Sequence, residues 1–169
     1  MSNLQHDIRI EKITLNIGAG KEQSRLDKAL VLLKEITGKN PVKTVTHKRI
    51  PTWGLRPGLP IGCKVTLRRE DASNILKRLL HSKDNKLKTD NFDEQGNLSF
   101  GIPEYIDIQG AKYNPQIGIL GLDVAITLQK AGFHIKKRKI KRASIGKRQQ
   151  ISKQEALTYL SKTFGTIIE

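Results

Sequence analysis

The chain has 169 residues, 37% hydrophobic and 28% charged, with 31 Lys and Arg against 16 Asp and Glu for a formal net charge of +15. That length fits one domain, or one domain with an extension, and is enough to bury a core. It holds no apolar run near the ~20 residues that span a bilayer and no signal-peptide core in MSNLQHDIRIEK, which makes the cytoplasm the default compartment, and its one cysteine excludes a disulfide framework or a cysteine-cluster zinc site.

The first element is a strand, Ile8–Ile17, in which Ile13, Leu15 and Ile17 alternate with Thr14 and Asn16. It runs into Gly18-Ala19-Gly20-Lys21. A Walker loop needs Ser or Thr where Glu22 stands, and the dinucleotide pattern needs glycine in place of Gln23. Gly18 and Gly20 read instead as a turn that brings backbone close to a partner, because glycine tolerates positive φ and has no side chain to obstruct. A helix follows. Ser24 and Asp27 have the spacing of a capping box, Leu26, Ala29, Leu30, Leu33 and Ile36 repeat at helical spacing, and Gly38 stops it.

Residues 36–69 hold eight Lys and Arg and no Asp or Glu. Within them Lys39–Arg69 reads as two strands joined by a long loop. In the second strand Ile61, Cys63, Val65 and Leu67 alternate with Lys64, Thr66 and Arg68, so one face packs on a core and the other presents charge and hydroxyls. Such a face suits a phosphate backbone. An ordinary solvated sheet face with an exposed loop has the same pattern, and this stretch alone leaves both readings open. The loop holds Pro51, Gly54, Pro57, Gly58 and Pro60, stiff and permissive points with no packed core of their own. Trp53 stands between Arg49 and Arg56, where it either stacks on a base or ribose or folds back on the protein.

Glu70 and Asp71 suit the N-terminal dipole of a second helix, whose stripe is Ile75, Leu76, Leu79 and Leu80. Residues 81–97 are polar, with a turn at 93–96. Leu98, Phe100 and Ile102 alternate as a strand that Pro103 ends or bends. Residues 103–121 read as a long ordered loop, and Val124, Ile126 and Leu128 as a further strand. The order β-α-β-β-α-β-β predicts an α+β fold, a mostly antiparallel sheet with helices packed on one face.

Beyond Gln129 the character changes. Residues 124–154 hold ten Lys and Arg and no acid, which leaves 13 basic and 16 acidic groups, a net of −3, outside the two acid-free segments. Charge concentrated in this way favours a polyanionic partner, nucleic acid or an anionic membrane. Lys136, Lys137, Arg138, Lys139, Lys141 and Arg142 form a basic arm, too charged for a core and expected to stay disordered or extended until a partner neutralises it. Nuclear targeting is the competing reading of such a cluster. A last helix, Ser152–Phe164, has Ser152 and Glu155 as its capping box, Leu157, Leu160 and Phe164 as its stripe and Gly165 as its stop. The expected division is an α+β core over residues 1–130, with the arm and terminal helix, 131–169, packed on it or extending from it.

His6, His47, His81 and His134 fall in different elements without ligand spacing, so neither a metal nor a cofactor is expected. There is no GxSxG elbow, and Cys63 reads as a small buried hydrophobe. No constellation argues for an enzyme.

Five separated patterns, LNIGAGK, EITGKNPVKT, RPGLPIGCKVTLR, NFDEQGNLSFGIPEY and NPQIGILGLDVAITL, occur in an order that resembles one family. It is the universal family of large-subunit ribosomal proteins that bind 5S rRNA, fifth in the bacterial series and eleventh in the eukaryotic one. The loop IPTWGLRPGLPIG and the KKRKIKR arm resemble archaeal members; bacterial ones end soon after the strand equivalent to Asp123–Gln129 and differ at the loop tip. The resemblance implies a mixed sheet backed by helices, in the central protuberance of the cytoplasmic ribosome. Its implied partners are 5S rRNA, large-subunit rRNA, P-site tRNA, neighbouring ribosomal proteins and, as an intersubunit bridge, the small subunit, with no membrane. By position, the family's rRNA contacts match Asn16, Lys39, Asn40, Lys43 and Thr66. The residue pattern adds the Gly18 and Gly20 backbone and Arg68. The tRNA-facing loop matches His47 to Pro60, with His47, Lys48, Arg49, Trp53, Arg56 and Pro57 as its candidates. An rRNA contact by the arm follows from its charge alone.

Overall fold

A computed structural model describes residues 7–169, so His6 lies outside the described residues. The chain forms β1 (Arg9–Gly18), α1 (Gln23–Thr37), β2 (Val42–Val45), β3 (Pro60–Leu67), α2 (Arg69–His81), β4 (Lys86–Leu87), β5 (Leu98–Ile102), β6 (Leu122–Gln129), α3 (His134–Lys137), α4 (Lys153–Phe164) and β7 (Ile167–Ile168). The architecture is α+β, with five mostly antiparallel strands in the order β2-β3-β1-β6-β5. The short β4 and β7 pair in parallel apart from that sheet. Two-residue strands carry no period, which is why they escape a periodicity reading.

Two compact units emerge, one from Thr14–Leu67 and Phe100–Ala125, the other from the residues up to Ile13, Arg68–Ser99 and Ile126–Glu169. In the first, Leu15, Leu26, Leu33, Cys63, Tyr105 and Val124 are fully or almost fully buried. α1 buries Leu26, Ala29, Leu32, Leu33 and Ile36, with Leu32 rather than Leu30 on its stripe. Gly38 ends it in the left-handed conformation at φ +67. The capping box expected at Ser24 is absent. The helix starts two residues earlier, with Glu22 in the cap position, so Ser24 is already in the first turn and its hydroxyl donates to the Glu22 carboxylate at 3.3 Å. The 103–121 loop is ordered from within: Tyr105, Ile108, Ile117 and Leu120 are buried, and the Tyr105 hydroxyl accepts the Asn114 N–H at 2.9 Å.

In the second unit α2 buries Ala72, Ile75, Leu76, Leu79 and Leu80, with Glu70 and Asp71 in its first turn. α4 begins with the Ser152/Glu155 capping box and stops at Gly165, φ +66. The arm departs from expectation. It contains the turn of helix α3 and is fastened at three points. Lys130, 2% exposed, reaches both Glu155 carboxylate oxygens at 2.8 and 2.9 Å. The Gln149 side chain donates to the Ala131 carbonyl at 2.8 Å. Lys137 donates to Glu11. Order here comes from carboxylates that lie far away in the chain, which local charge composition does not reveal.

Candidate nucleic-acid interface

In the first unit the odd-numbered residues of β1 and β3, Leu15 and Ile17 with Cys63, Val65 and Leu67, are buried. Period two then turns Thr14 and Asn16 of β1, and Lys64 and Thr66 of β3, to the opposite face of two neighbouring strands. Lys64 and Thr66 are exposed and Asn16 is half-buried. β2 extends this face. Val42 lies opposite Lys64 and Thr44 opposite Gly62, and residues paired across an antiparallel ladder point the same way. At Gly62 the sheet is too tight for a side chain, since a Cβ would stand 2.7 Å from the Ile17 carbonyl. On β1, β2 and β3 this face bears no carboxylate. On β6 the exposed positions are Asp123 and Ala125, so the cationic character is confined to the β2-β3-β1 side.

Lys43 is displaced from the expected set. It pairs with Cys63, so it lies on the covered side of the sheet, and its ammonium stands 4.0 Å from Asp27 of α1. Lys39 and Asn40 are exposed on the connection just past Gly38. The turn after β1 is pinned by the Ala19 and Gly20 N–H groups, which both donate to the Ile61 carbonyl at 2.9 and 3.0 Å. A Cβ at Gly18 would meet nothing within 4 Å, so packing does not require glycine there and the backbone lies open to a partner.

The loop between β2 and β3 folds back on itself. Ile50 and Leu55 exchange two backbone hydrogen bonds of 3.0 Å around the turn Pro51–Trp53 and Gly54. Leu55 is buried, while His47, Lys48, Arg49, Arg56 and Pro57 are exposed. Trp53, 65% exposed, takes the outward alternative. Lys48, Arg49, Arg56 and Lys64 have no ion pair among the described residues. Lys21 joins this cationic loop, its Nζ lying 2.7 Å from where a Cβ on Gly54 would sit. Sequence reasoning misses it, because Lys21 reads there only as a phosphate-loop residue.

In the second unit Arg68 is not a member of the Lys64–Thr66 row. It follows the last residue of β3 as the cap position of α2, and its guanidinium reaches Glu11 at 3.4 Å while its side chain stays 57% exposed. Glu11 is 8% exposed at the end of the apolar row of β1. Burial alone would raise its carboxyl, but Lys137, Lys12 and Arg68 together outweigh that and hold it below its ordinary value. Glu155 is likewise held low, chiefly by the Lys130 hydrogen bond against its partial burial. Arg138 is half-buried and donates through Nε to the Lys141 carbonyl at 2.7 Å. Lys136, Lys139, Lys141 and Arg142 are exposed. Of the six arm candidates, Lys137 ties the arm to β1, Arg138 closes a local turn within the arm, and the other four are presented to solvent.

Among the described residues no group of three or more His, Cys, Asp or Glu could hold a metal ion, and no helix is long and apolar enough to cross a membrane. Cys63 is fully buried and its thiol is pushed up to about 11 by that burial.

A family model for the C-terminus of the ribosomal L5 family matches residues 60–159, and one described as ribosomal protein L5 matches residues 3–56. The chain belongs to the ribosomal protein L5 family. The two family models meet within the β2–β3 loop, between Arg56 and Pro60. The chain is 47% identical over 169 residues to the large ribosomal subunit protein uL5 of Nanoarchaeum equitans, covering 99% of both. It is 46% identical over 169 residues to that of Sulfurisphaera tokodaii (99% of this chain, 96% of the other) and 43% over 161 residues to that of Methanococcus maripaludis (94% and 89%). These full-length likenesses make it an L5 of the archaeal type. The L5 family is structural and non-enzymatic.

Proposed function

We propose that this chain binds 5S rRNA and fastens it in the central protuberance of the large subunit, with the β2–β3 loop turned toward P-site tRNA and the small subunit. The coarser part of that reading comes with the family: a structural, rRNA-binding protein of the large ribosomal subunit, at work in translation in the cytoplasm. The observation that carries the finer part is the row formed by Asn16, Lys64 and Thr66 on adjacent strands, with Val42 and Thr44 beside it and no carboxylate on those strands' open face. An amide, a hydroxyl and an ammonium on a stiff surface match 2′-OH and phosphate groups of a folded RNA. Lys39 and Asn40 and the bare backbone at Gly18 supply further contacts. The loop is a separate device. Its cations and exposed Trp53 stand on a ladder of their own, which suits a tRNA backbone and a stacked ribose or base. Large-subunit rRNA and neighbouring ribosomal proteins are the remaining partners.

Binding of purified protein to 5S rRNA across a salt series tests this. Neutralising ~6 phosphates gives a log–log slope of roughly −4 to −5. A slope near zero, or equal affinity for an unrelated duplex, overturns the reading.

A further inference from the structure

The arm and the polar turn before β5 line a cleft of about 650 Å³ that the strand face and the loop do not use. Every lining residue belongs to one compact unit. Its floor is apolar, with Leu128 and Ile151 buried and Ile145 half-buried. Phe133 is the aromatic ring in its wall. Lys12, Lys136 and Arg142 line it without an ion pair among the described residues, whereas Lys137, the fourth cation, is taken up by Glu11. Gln95 and Gln150 add exposed amides. One wall is preformed. The Asp93 carboxylate accepts the N–H groups of Gln95 and Asn97 at 2.9 and 2.7 Å. Gly96, at φ +73, packs so closely on Ile151 that a Cβ would lie 2.6 Å from its Cγ2.

We propose that this cleft takes one unstacked nucleotide of a bound RNA. The base lies against Phe133 over the apolar floor, its edge meets the Gln95 and Gln150 amides, and Lys12, Lys136 and Arg142 hold the phosphates on either side. A site for phosphate alone has no use for an aromatic ring or an aliphatic floor, and an acidic peptide has none for a ring flanked by amides that read base edges. The volume falls within the range of sites that enclose a small ligand, ~300–1,000 Å³. The proposal rests on the chain being an RNA-binding protein and adds a second point of contact, in the other compact unit.

The test uses the full chain with large-subunit rRNA including 5S, reading affinity and base reactivity nucleotide by nucleotide. Phe133→Leu keeps apolar volume and is expected to lower affinity about ten-fold, with an unchanged salt slope, and to unmask one base that the wild type protects. Gln95→Ala, on an exposed turn, should unmask the same base. Lys136→Gln with Arg142→Gln should instead flatten the salt slope by about 1 to 2. If Phe133→Leu and Gln95→Ala bind and protect like wild type while the charge pair weakens binding, the arm acts through charge alone and the proposal falls. Saturation by free nucleoside monophosphates at micromolar concentration, with RNA binding untouched, would assign the cleft to a free nucleotide and also overturn it. A wild type that binds no RNA is a different result, and sinks the reading underneath.

Discussion

Residues 36–69 and 124–154 both lack acidic residues and hold eight and ten cations, yet they spend them differently. In the first segment Lys43 and Arg68 reach Asp27 and Glu11, but Lys48, Arg49, Arg56 and Lys64 stand exposed without an ion pair among the described residues. In the second, Lys130 and Lys137 close on Glu155 and Glu11, and Arg138 bonds the Lys141 carbonyl within the arm. Unpaired charge on a stiff frame is poised for a polyanion, because no internal partner has to be released first. Charge spent on a carboxylate of the same chain builds the frame itself. A run of lysines is therefore two kinds of material, and the location of the countercharge decides which.

The sharpest way to break this comparison is at Lys130. Lys130→Met removes a buried ammonium and its hydrogen bonds to Glu155 and should destabilise the protein by about 2 kcal/mol, less than for stranding a buried charge because the Glu155 side chain is 45% exposed and stays solvated. Arg49→Met should stay within ~0.5 kcal/mol of wild type in urea unfolding. Equal losses would mean the two segments are not distinct. Next in size are the strand-face residues. Asn16→Ala or Thr66→Ala should cost roughly 1–3 kcal/mol of 5S rRNA affinity while leaving the unfolding midpoint in place. Replacing Lys48, Arg49 and Arg56 together by Ser should leave 5S affinity nearly intact and weaken tRNA binding. A large loss of 5S affinity in that triple variant would abolish the division between strand face and loop.

Parity along β1 and β3 made Asn16, Lys64 and Thr66 legible, because Ile13, Leu15, Ile17, Cys63, Val65 and Leu67 announce the buried face and neighbouring strands share it. Lys43 was not legible. β2 is four residues with no buried side chain, so its facing depends on register with β3, and the sequence carries no mark of that register. The pairing of Arg68 is hidden for a similar reason: its partner Glu11 is 57 residues away. Lys137 and Glu11 are 126 residues apart, so the arm looked partnerless when only its own neighbourhood was read. The α4 capping box was readable because both members lie within one turn. The cleft beneath the arm was out of reach, since it needs the 93–97 turn, β6 and the arm at once.

A smaller effect separates the backbones of the two segments. Gly54 sits at φ +62 beneath Lys21, so Gly54→Ala should cost about 1 kcal/mol through the left-handed conformation. Gly146 in the arm sits at φ −60 with open space at its Cβ. Gly146→Ala should be neutral or stabilise by up to ~1 kcal/mol, by restricting the unfolded chain. Thermal melts of the two variants measure this directly, and a penalty at Gly146 equal to that at Gly54 would show the arm's backbone to be equally constrained.

The smallest effect is one of pH. The Glu11 carboxyl is held below its ordinary 4.5 in the folded state, with burial opposing and Lys137, Lys12 and Arg68 prevailing. As pH falls through 4.5 the unfolded chain takes up a proton there that the folded chain still refuses, so the unfolded state gains. The Glu11 contribution is whole above that pH and disappears as pH drops through the folded value. Glu11→Gln lacks it, so the wild-type and variant stability curves should differ most near neutrality and converge in acid. Lys137→Met, which removes the principal countercharge, should flatten the same part of the curve. Arg49→Met should run parallel to wild type throughout, because no carboxylate among the described residues pairs with Arg49. Acid titration thus separates the two kinds of cation without any RNA present: a residue that belongs to the frame leaves its trace in the protein's own pH profile, and one kept for a partner does not.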